Sequence, residues 1–356
     1  MSRINTKFGK ELKRYGAVDF NKCYNCGTCT AVCSLSTGED SFPRSMVRLS
    51  ETGDKQGAES SLKPWLCYYC GECSVNCPQT ADPGELMMSL RRWLTARYDW
   101  TGLSGLFHRS GLANIIAMIL VAAGVIACSA AQSFDHEGIM HFAHLFEMYA
   151  IATVFAVILL PNIIRMWYMT VVKPGYKVPF NAYYKSAGEL FIHMFTQKRS
   201  LGCDDNQARW FAHFVLVIGY LTLLFTTVFL DWFSTESIFV NLLGYTVSAV
   251  VFIVTFVFVL GRIKQKHQVS KKSRPSDWFF VIWLFLMGVT AFFVKVFIDL
   301  EILENNFWLF LLHFTILVQW AVIIVPFGKW THFLYRSFAM YFDKLRKSVP
   351  AESTKK

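Results

Sequence analysis

Apolar residues are spread very unevenly along this chain. Beyond residue 98 they gather into six stretches, near 110–132, 141–167, 210–231, 238–261, 277–298 and 306–328. At 1.5 Å of rise per residue, each predicts a helix able to cross a hydrocarbon core of about 30 Å. Residues 1–98 mix polar and apolar positions and predict a soluble head, with a short helix after Asp82-Pro83-Gly84. Between the second and third stretches, Leu190, Phe191, Met194 and Phe195 recur at helical spacing beside Lys185, Lys198 and Arg199. That pattern predicts an amphipathic helix over about 183–200, lying on the membrane surface or packed against the head or a partner subunit. The expected architecture is mainly α, with a head over 1–98, a six-helix membrane domain over 99–340 and a tail over 341–356.

Loop charges orient this arrangement. The connection from Trp167 to Gln207 carries Lys173, Lys177, Lys185, Lys198 and Arg199, and the one after the fourth stretch reads GRIKQKHQVSKKSRP. The opposite loops hold Asp135, Glu137, Asp231, Glu236, Asp299, Glu301 and Glu304, without lysine or arginine. Positive charge favours the inner face, so the head and both termini are expected in the cytoplasm. The N-terminal MSRINTKFGKELKRYG lacks the apolar core and cleavage site of a secretory signal, which gives the same expectation. A hydrophobic content of 54% fits a chain mostly in lipid. The net charge of +10 falls in loops between apolar stretches and is explained by membrane orientation, not by nucleic acid.

The head carries the most specific chemistry. Cys23, Cys26, Cys29 and Cys33, and then Cys67, Cys70, Cys73 and Cys77, form two copies of C-x2-C-x2-C-x3-C. Three thiolates on a tight loop clasp one face of a [4Fe-4S] cluster, and in two-cluster units the fourth cysteine of each run ligates the other cluster. One cluster is thus expected on Cys23, Cys26, Cys29 and Cys77, the other on Cys67, Cys70, Cys73 and Cys33. Structural zinc usually draws on two CxxC pairs, and disulfides favour oxidising compartments, so both fit the doubled run less well. Cys128 and Cys203 have no cysteine-rich neighbourhood and are read as small apolar residues. The chain shows no GxGxxG and no phosphate loop, hence no flavin or nicotinamide site of its own is expected.

Clusters above a helical bundle need an electron route through it, and bis-histidine haem b is the commonest. His213, one turn into the third stretch, and His332, after the sixth, lie at the cytoplasmic side and can face one haem. His313, opening the sixth stretch, with His141 and His144, opening the second, offer a far-side haem. A lone membrane histidine is often a packing residue, but ionisable residues within spans are rare and functional by default. His313 and His332 are 19 residues apart, which leaves them about 100° off a common helical face unless Pro326 kinks or rewinds the helix. His108 and His193 read as interfacial, and His136 and His267 as loop residues. Glu147, one turn after His144, is read as a group that relays protons to a quinone or bonds a haem ligand, or as one half of a salt bridge with Lys295. Gln319 is a further polar candidate within the bilayer, with packing as its expected role.

These segments also carry a resemblance. CYNCGTCTAVCSLS, FPRS and WLCYYCGECSVNCPQTADPGEL resemble the iron–sulfur subunit of heterodisulfide reductase. CDDNQARWFAHFVLVIGY and VPFGKWTHFLYRSFAMYF look like the cytochrome b subunit of that family and, distantly, the gamma subunit of respiratory nitrate reductase. Their fusion over nearly the whole chain is similar to membrane subunits of the quinone-interacting membrane-bound oxidoreductase (Qmo) complexes. The resemblance implies electron exchange between menaquinone and two cytoplasmic flavin and iron–sulfur subunits connected with adenylylsulfate reductase, in sulfate reduction or, reversed, sulfur oxidation. It implies haem-ligand roles for His213 and His332. Where the nitrate reductase relative has its further histidine, this chain has Tyr220 and Leu223, so His144 or His141 must partner His313 or the far haem is absent. Two other functions compete: the same electron transfer in another heterodisulfide- or sulfite-linked complex, and a transporter or membrane sensor with a redox-reporting head. Against the last, the six stretches show no inverted repeat and no paired broken helices.

Overall fold

The computed structural model describes residues 4–37, 40–198, 201, 207–228, 237–265 and 268–349. Arg199, Cys203, Asp231, Glu236 and His267 lie outside the described residues. Among those described, the chain is mainly helical and its β-structure is limited to a bridge between Thr37 and Asp40.

The head contains α1 (Phe8–Lys13), α2 (Thr28–Ala31), α3 (Arg44–Thr52), α4 (Lys55–Ser60), α5 (Lys63–Leu66), α6 (Glu72–Val75) and α7 (Pro83–Tyr98). The Asp82 carboxylate caps α7 by accepting from the Glu85 amide at 3.2 Å, and Pro83 occupies its first turn. Instead of the short helix expected here, α7 runs for 16 residues. Its Leu86, Met87, Leu90, Trp93 and Leu94 are buried, and α1, α3, α4, α5 and α6 all pack against it. Arg91, Arg92 and Glu85 of the same helix are buried with them, so α7 is enclosed nearly all round and is the axle of the head.

Beyond it come α8 (Leu103–Arg109), α9 (Gly111–Ala131), α10 (His136–Thr153), α11 (Leu160–Trp167), α12 (Phe180–Thr196), α13 (Gln207–Val228), α14 (Ile238–Ile263), α15 (Gln268–Lys271), α16 (Pro275–Asp299), α17 (Phe307–Gln319), α18 (Val325–Phe327) and α19 (His332–Lys347). Among the described residues six helical segments are long and apolar enough to span a membrane: Gly111–Ala131, His136–Val172, Gln207–Thr226, Ile238–Ile263, Pro275–Asp299 and Glu304–Phe327. The second is longer than its apolar stretch, because π turns at Val154–Leu159 and Tyr168–Val172 join and extend α10 and α11. In the bundle α14 packs against α13 and α16, and α17 against α16 and α9. At Gly288 the helices nearly touch, since a Cβ there would lie 2.9 Å from the Phe252 backbone nitrogen.

Head and bundle share one core. Phe8, Leu12, Trp65, Leu86, Trp93 and Tyr98 of the head form a continuous cluster with Leu159, Ile163 and Met166 of the second span and Leu334, Tyr335, Phe342 and Leu345 of α19. The tail expected from residue 341 is therefore, up to Lys347, the second half of α19, drawn in by burial of Phe342 and Leu345. Arg346 of the same helix donates to the carbonyls of Thr170 and Ser60. The amphipathic helix materialises as α12 and packs against α19, with Tyr341 Oη donating to the Tyr183 carbonyl at 3.0 Å and Lys344 paired with Glu189 at 2.6 Å. Phe180, Tyr184, Phe191, Ile192 and Phe195 on α12 remain exposed.

The close approach at Gly288 gives a direct test of the bundle. Gly288→Val should lower the thermal unfolding midpoint in detergent through overpacking worth about 1–3 kcal/mol. Gly261→Val, at a glycine with no atom within 4 Å of an added Cβ, should leave that midpoint nearly unchanged.

Candidate functional site

The two cysteine runs fold as copies of one backbone motif. Asn25 and Tyr69 take left-handed conformations at φ 56° and 59°, and Gly27 and Gly71 follow at φ 91° and 95° as N-caps of α2 and α6. Those glycine values lie beyond the left-handed region that other residues tolerate, which fixes the residue type. In each loop the amide after the tight bend points at sulfur, Asn25 N to Cys23 Sγ and Tyr69 N to Cys67 Sγ, both at 3.3 Å. α2 and α6 pack together, and the last cysteine of each run lies beside the first three of the other.

A cavity is lined by Cys23, Cys26, Cys29 and Cys77 together with Arg44 and Gly27. The other four thiols form a second group. Burial pushes Cys33 and Cys73 up, and Cys73 also feels Cys67, Cys70 and Cys33, while Cys33 feels Cys67 and Cys70. Cys29 is likewise pushed up by burial and then by Cys23, Cys26 and Cys77. Mutual repulsion of this kind is what bound iron relieves when it holds the thiolates. Among the described residues no three ligating side chains converge tightly enough for a single metal ion. Four thiols distributed around a cavity are the donor set of a larger, multi-iron group.

The groups differ in surroundings. Cys26 is exposed beside Tyr24, which is 76% exposed, whereas Cys67 and Cys73 are buried. Behind Cys67, the buried Arg91 donates to its carbonyl and to that of Pro64, the latter at 2.7 Å. Nothing in the cysteine spacing announces Arg91, because its partners lie 24 and 27 positions away in sequence.

In the bundle the structure brings His213 of α13 and His332 of α19 together, ring centroids 6.3 Å apart and planes at 75°. Two imidazoles sharing one metal through bonds of about 2 Å would place their centroids about 6 Å apart. The Nδ1 of His332 lies 2.5 Å from the Lys329 carbonyl, which fixes the ring and leaves Nε2 free to bind a metal. The Nδ1 of His213 is buried without a hydrogen-bond partner. Two imidazoles brought together, with one edge closed by Phe280 at 5.9 Å and the cations of Arg336 and Lys329 acting on the pair, fit the donor set of a haem b.

Gly328 makes this placement work. The sixth span loosens into a π turn at Trp320–Ile324, and at Gly328 the backbone turns extended before a 3-10 turn at Lys329–Thr331. A Cβ on Gly328 would lie 2.7 Å from the Ile324 carbonyl oxygen. The phase mismatch between His313 and His332 is thus removed by a break that starts a new helix at His332, and not by a kink at Pro326 alone.

The far-side histidines have other surroundings. His313 Nδ1 lies 2.8 Å from Thr290 Oγ1. His141 is exposed and His144 half-buried on α10. Tyr220 occupies its region by accepting from Trp320 Nε1 at 3.1 Å. His136 starts α10, not a loop, and stacks on Phe307 at 3.9 Å. His193 lies 3.1 Å from Glu189, and both ring nitrogens of His108 are buried without hydrogen-bond partners, unlike an interfacial anchor. Glu147 is half-buried and makes no hydrogen bond or ion pair among the described residues. Lys295 instead donates to Asn241 at 2.8 Å and lies over the Tyr245 ring. Gln319 accepts from Trp283 at 2.8 Å and donates to the Met118 carbonyl at 2.9 Å, a packing role as expected.

Residues 22–81 match the family model of the 4Fe-4S dicluster domain. The chain is 30% identical over 83 residues to a subunit of the ferredoxin:CoB-CoM heterodisulfide reductase of Methanosarcina acetivorans, covering 23% of this chain and 33% of that protein. It is 29% identical over 76 residues to a subunit of the H(2):CoB-CoM heterodisulfide,ferredoxin reductase of Methanothermobacter thermautotrophicus, covering 21% of this chain and 41% of the relative. The chain thus spans between 33% and 41% of the length of these curated relatives. No solved structure matches it. The head is a dicluster iron–sulfur domain on a multi-pass helical chain, and its relatives are reductase subunits, which supports an electron-transfer role.

Ligand exchange between the runs is testable by spectroscopy. Cys77→Ser should remove the same EPR signal as Cys26→Ser, and Cys33→Ser the same signal as Cys70→Ser. Pairing by run, with Cys33→Ser matching Cys26→Ser, is the opposite result.

Proposed function

We propose that this chain is the membrane electron-transfer subunit of a quinone-dependent oxidoreductase complex, exchanging electrons between menaquinone and cytoplasmic flavin and iron–sulfur subunits. The observation that carries the proposal is the facing pair of His213 and His332 beneath a dicluster head. Bound haem b and two [4Fe-4S] clusters supply one-electron steps, whereas a quinone takes two electrons and two protons. His213 and His332 hold the haem, and the eight cysteines hold the clusters in the two groups described. The haem of this reading sits at the His213–His332 pair, and His313, His144 and His141 are the residues available to a second, far-side haem. Glu147, a half-buried carboxylate at membrane depth, is assigned to proton handling near the quinone.

The order of carriers follows from burial. The group of Cys33, Cys67, Cys70 and Cys73 lies on the bundle side, because α5, just before Cys67, packs on α19, which begins at His332. Trp65, Tyr98 and Tyr335 fill that junction with ring centroids 5.4–6.4 Å apart. The group containing the exposed Cys26 faces outward and meets the soluble partner. Loop charge supports a cytoplasmic head, with both ends of the chain on the same side. Resemblance to Qmo membrane subunits points to adenylylsulfate reductase beyond that partner, in dissimilatory sulfur metabolism. The curated relatives favour a second reading, the same role in a heterodisulfide reductase-like complex.

An optical spectrum tests the core of this reading. The purified protein should show a haem b band that a menaquinol analogue reduces. His213→Ala should abolish it and leave the cluster EPR signals intact. A wild-type protein without the band, or with a band indifferent to quinol, would sink the proposal. Pull-down of the soluble partners separates the two complexes.

A further inference from the structure

Between the cysteine loop at Cys67 and the histidine at 332 runs an unbroken line of polar contacts. Tyr69, whose amide points at Cys67 Sγ at 3.3 Å, donates its hydroxyl to Glu85 at 3.1 Å. Glu85 is paired with Arg92 at 2.8 Å, and Arg92 reaches across to Asp277 at 3.0 Å. Asp277 is also paired with Lys329 at 2.7 Å, and the Lys329 carbonyl receives His332 Nδ1. Arg92 is 5% exposed and Asp277 3% exposed, so solvent screens these charges little. Burial opposes the Arg92 charge, but Asp277 and then Glu85 hold the guanidinium above its ordinary value.

Asp277 is the node of this line. It receives one cation from the head and one from the loop that orients His332. Its carboxylate also accepts from the Arg274 amide at 3.0 Å and closes the first turn of α16. We infer that Asp277 is a positioning residue for electron transfer, whose fixed negative charge, set against Arg92 and Lys329, tunes the haem held by His213 and His332. The inference rests on the haem reading above.

The physics predicts a sign. Extra positive charge in a low-dielectric site favours the reduced state of a nearby redox centre, and removal of positive charge disfavours it. Asp277→Asn leaves Arg92 and Lys329 less compensated and should raise the haem midpoint potential. Lys329→Gln removes a cation and should lower it. A merely mechanical role for the contacts gives no reason for opposite shifts.

Redox titration of the full chain at neutral pH, following the haem b band optically and the clusters by EPR, makes the test. The expected result is opposite shifts in the two variants with haem and cluster contents retained, a return toward wild type in Asp277→Glu, and little change at the outer cluster of Cys23, Cys26, Cys29 and Cys77. Shifts of the same sign, or none, overturn the inference. If Asp277→Asn does not assemble, Lys329→Gln decides alone: a lowered potential supports the inference and an unmoved one overturns it. A wild type with haem b whose potential ignores both substitutions defeats only this inference, whereas a wild type without haem b defeats the proposed function and this inference with it.

Discussion

A guanidinium buried where a soluble head meets an apolar bundle is the constraint on which this structure turns. Arg92 donates to Glu85 at 2.8 Å and the Tyr15 carbonyl at 3.0 Å within the head, and to Asp277 at 3.0 Å in the first turn of the fifth span. Removing one partner of a buried ion pair typically costs about 3–5 kcal/mol, because the remaining charge is left unpaired away from water. The head therefore cannot tilt away from the bundle without exposing or stranding this charge. The shared core of Trp65, Tyr98, Tyr335 and Phe342 adds burial to the same junction. The cysteine groups on one side and the histidine pair on the other are held at one separation.

The same requirement governs the histidine pair. His332 is oriented by a carbonyl of the loop whose lysine pairs with Asp277. That loop exists because the sixth span breaks at Gly328, where the chain passes too close to Ile324 for a side chain. His213 arrives from a different helix, and the two ring centroids come within 6.3 Å. A centre that only passes electrons benefits from surroundings that change little with its charge, and fully packed, hydrogen-bonded supports provide that.

Much of this is legible in the sequence because it is local. Thiol spacing encodes the loops, and apolar runs encode the spans, since both signals lie within one segment. The pairing of His213 with His332 is readable from depth alone. What stays hidden depends on contacts between distant segments. Asp277 reads as an ordinary first-turn acid, and its bond to Arg92 joins residues 185 positions apart. The length of α7 is masked because its buried Arg91 and Arg92 make it look polar, although both are satisfied inside the core. Pro326 is the conspicuous residue before α19, yet close backbone contact at Gly328 is also needed for the break there.

The duplicated head shows how one local motif gives two unlike sites. Both loops share the left-handed bend and the glycine cap, so the sulfur geometry each offers is nearly the same. The residue at the bend differs: Asn25 bonds to Glu51 on the outer rim at 3.3 Å, whereas Tyr69 points inward to Glu85. Cluster potential depends on net charge, hydrogen bonds to sulfur and solvent exposure. The amide bonds to Cys23 and Cys67 match at 3.3 Å, so the Thr28 hydroxyl at Cys26, the Ala81 amide at Cys77, exposure and the charged line behind Tyr69 separate the two. Duplication thus supplies two cradles of like construction, and the docking of one against the bundle makes them different.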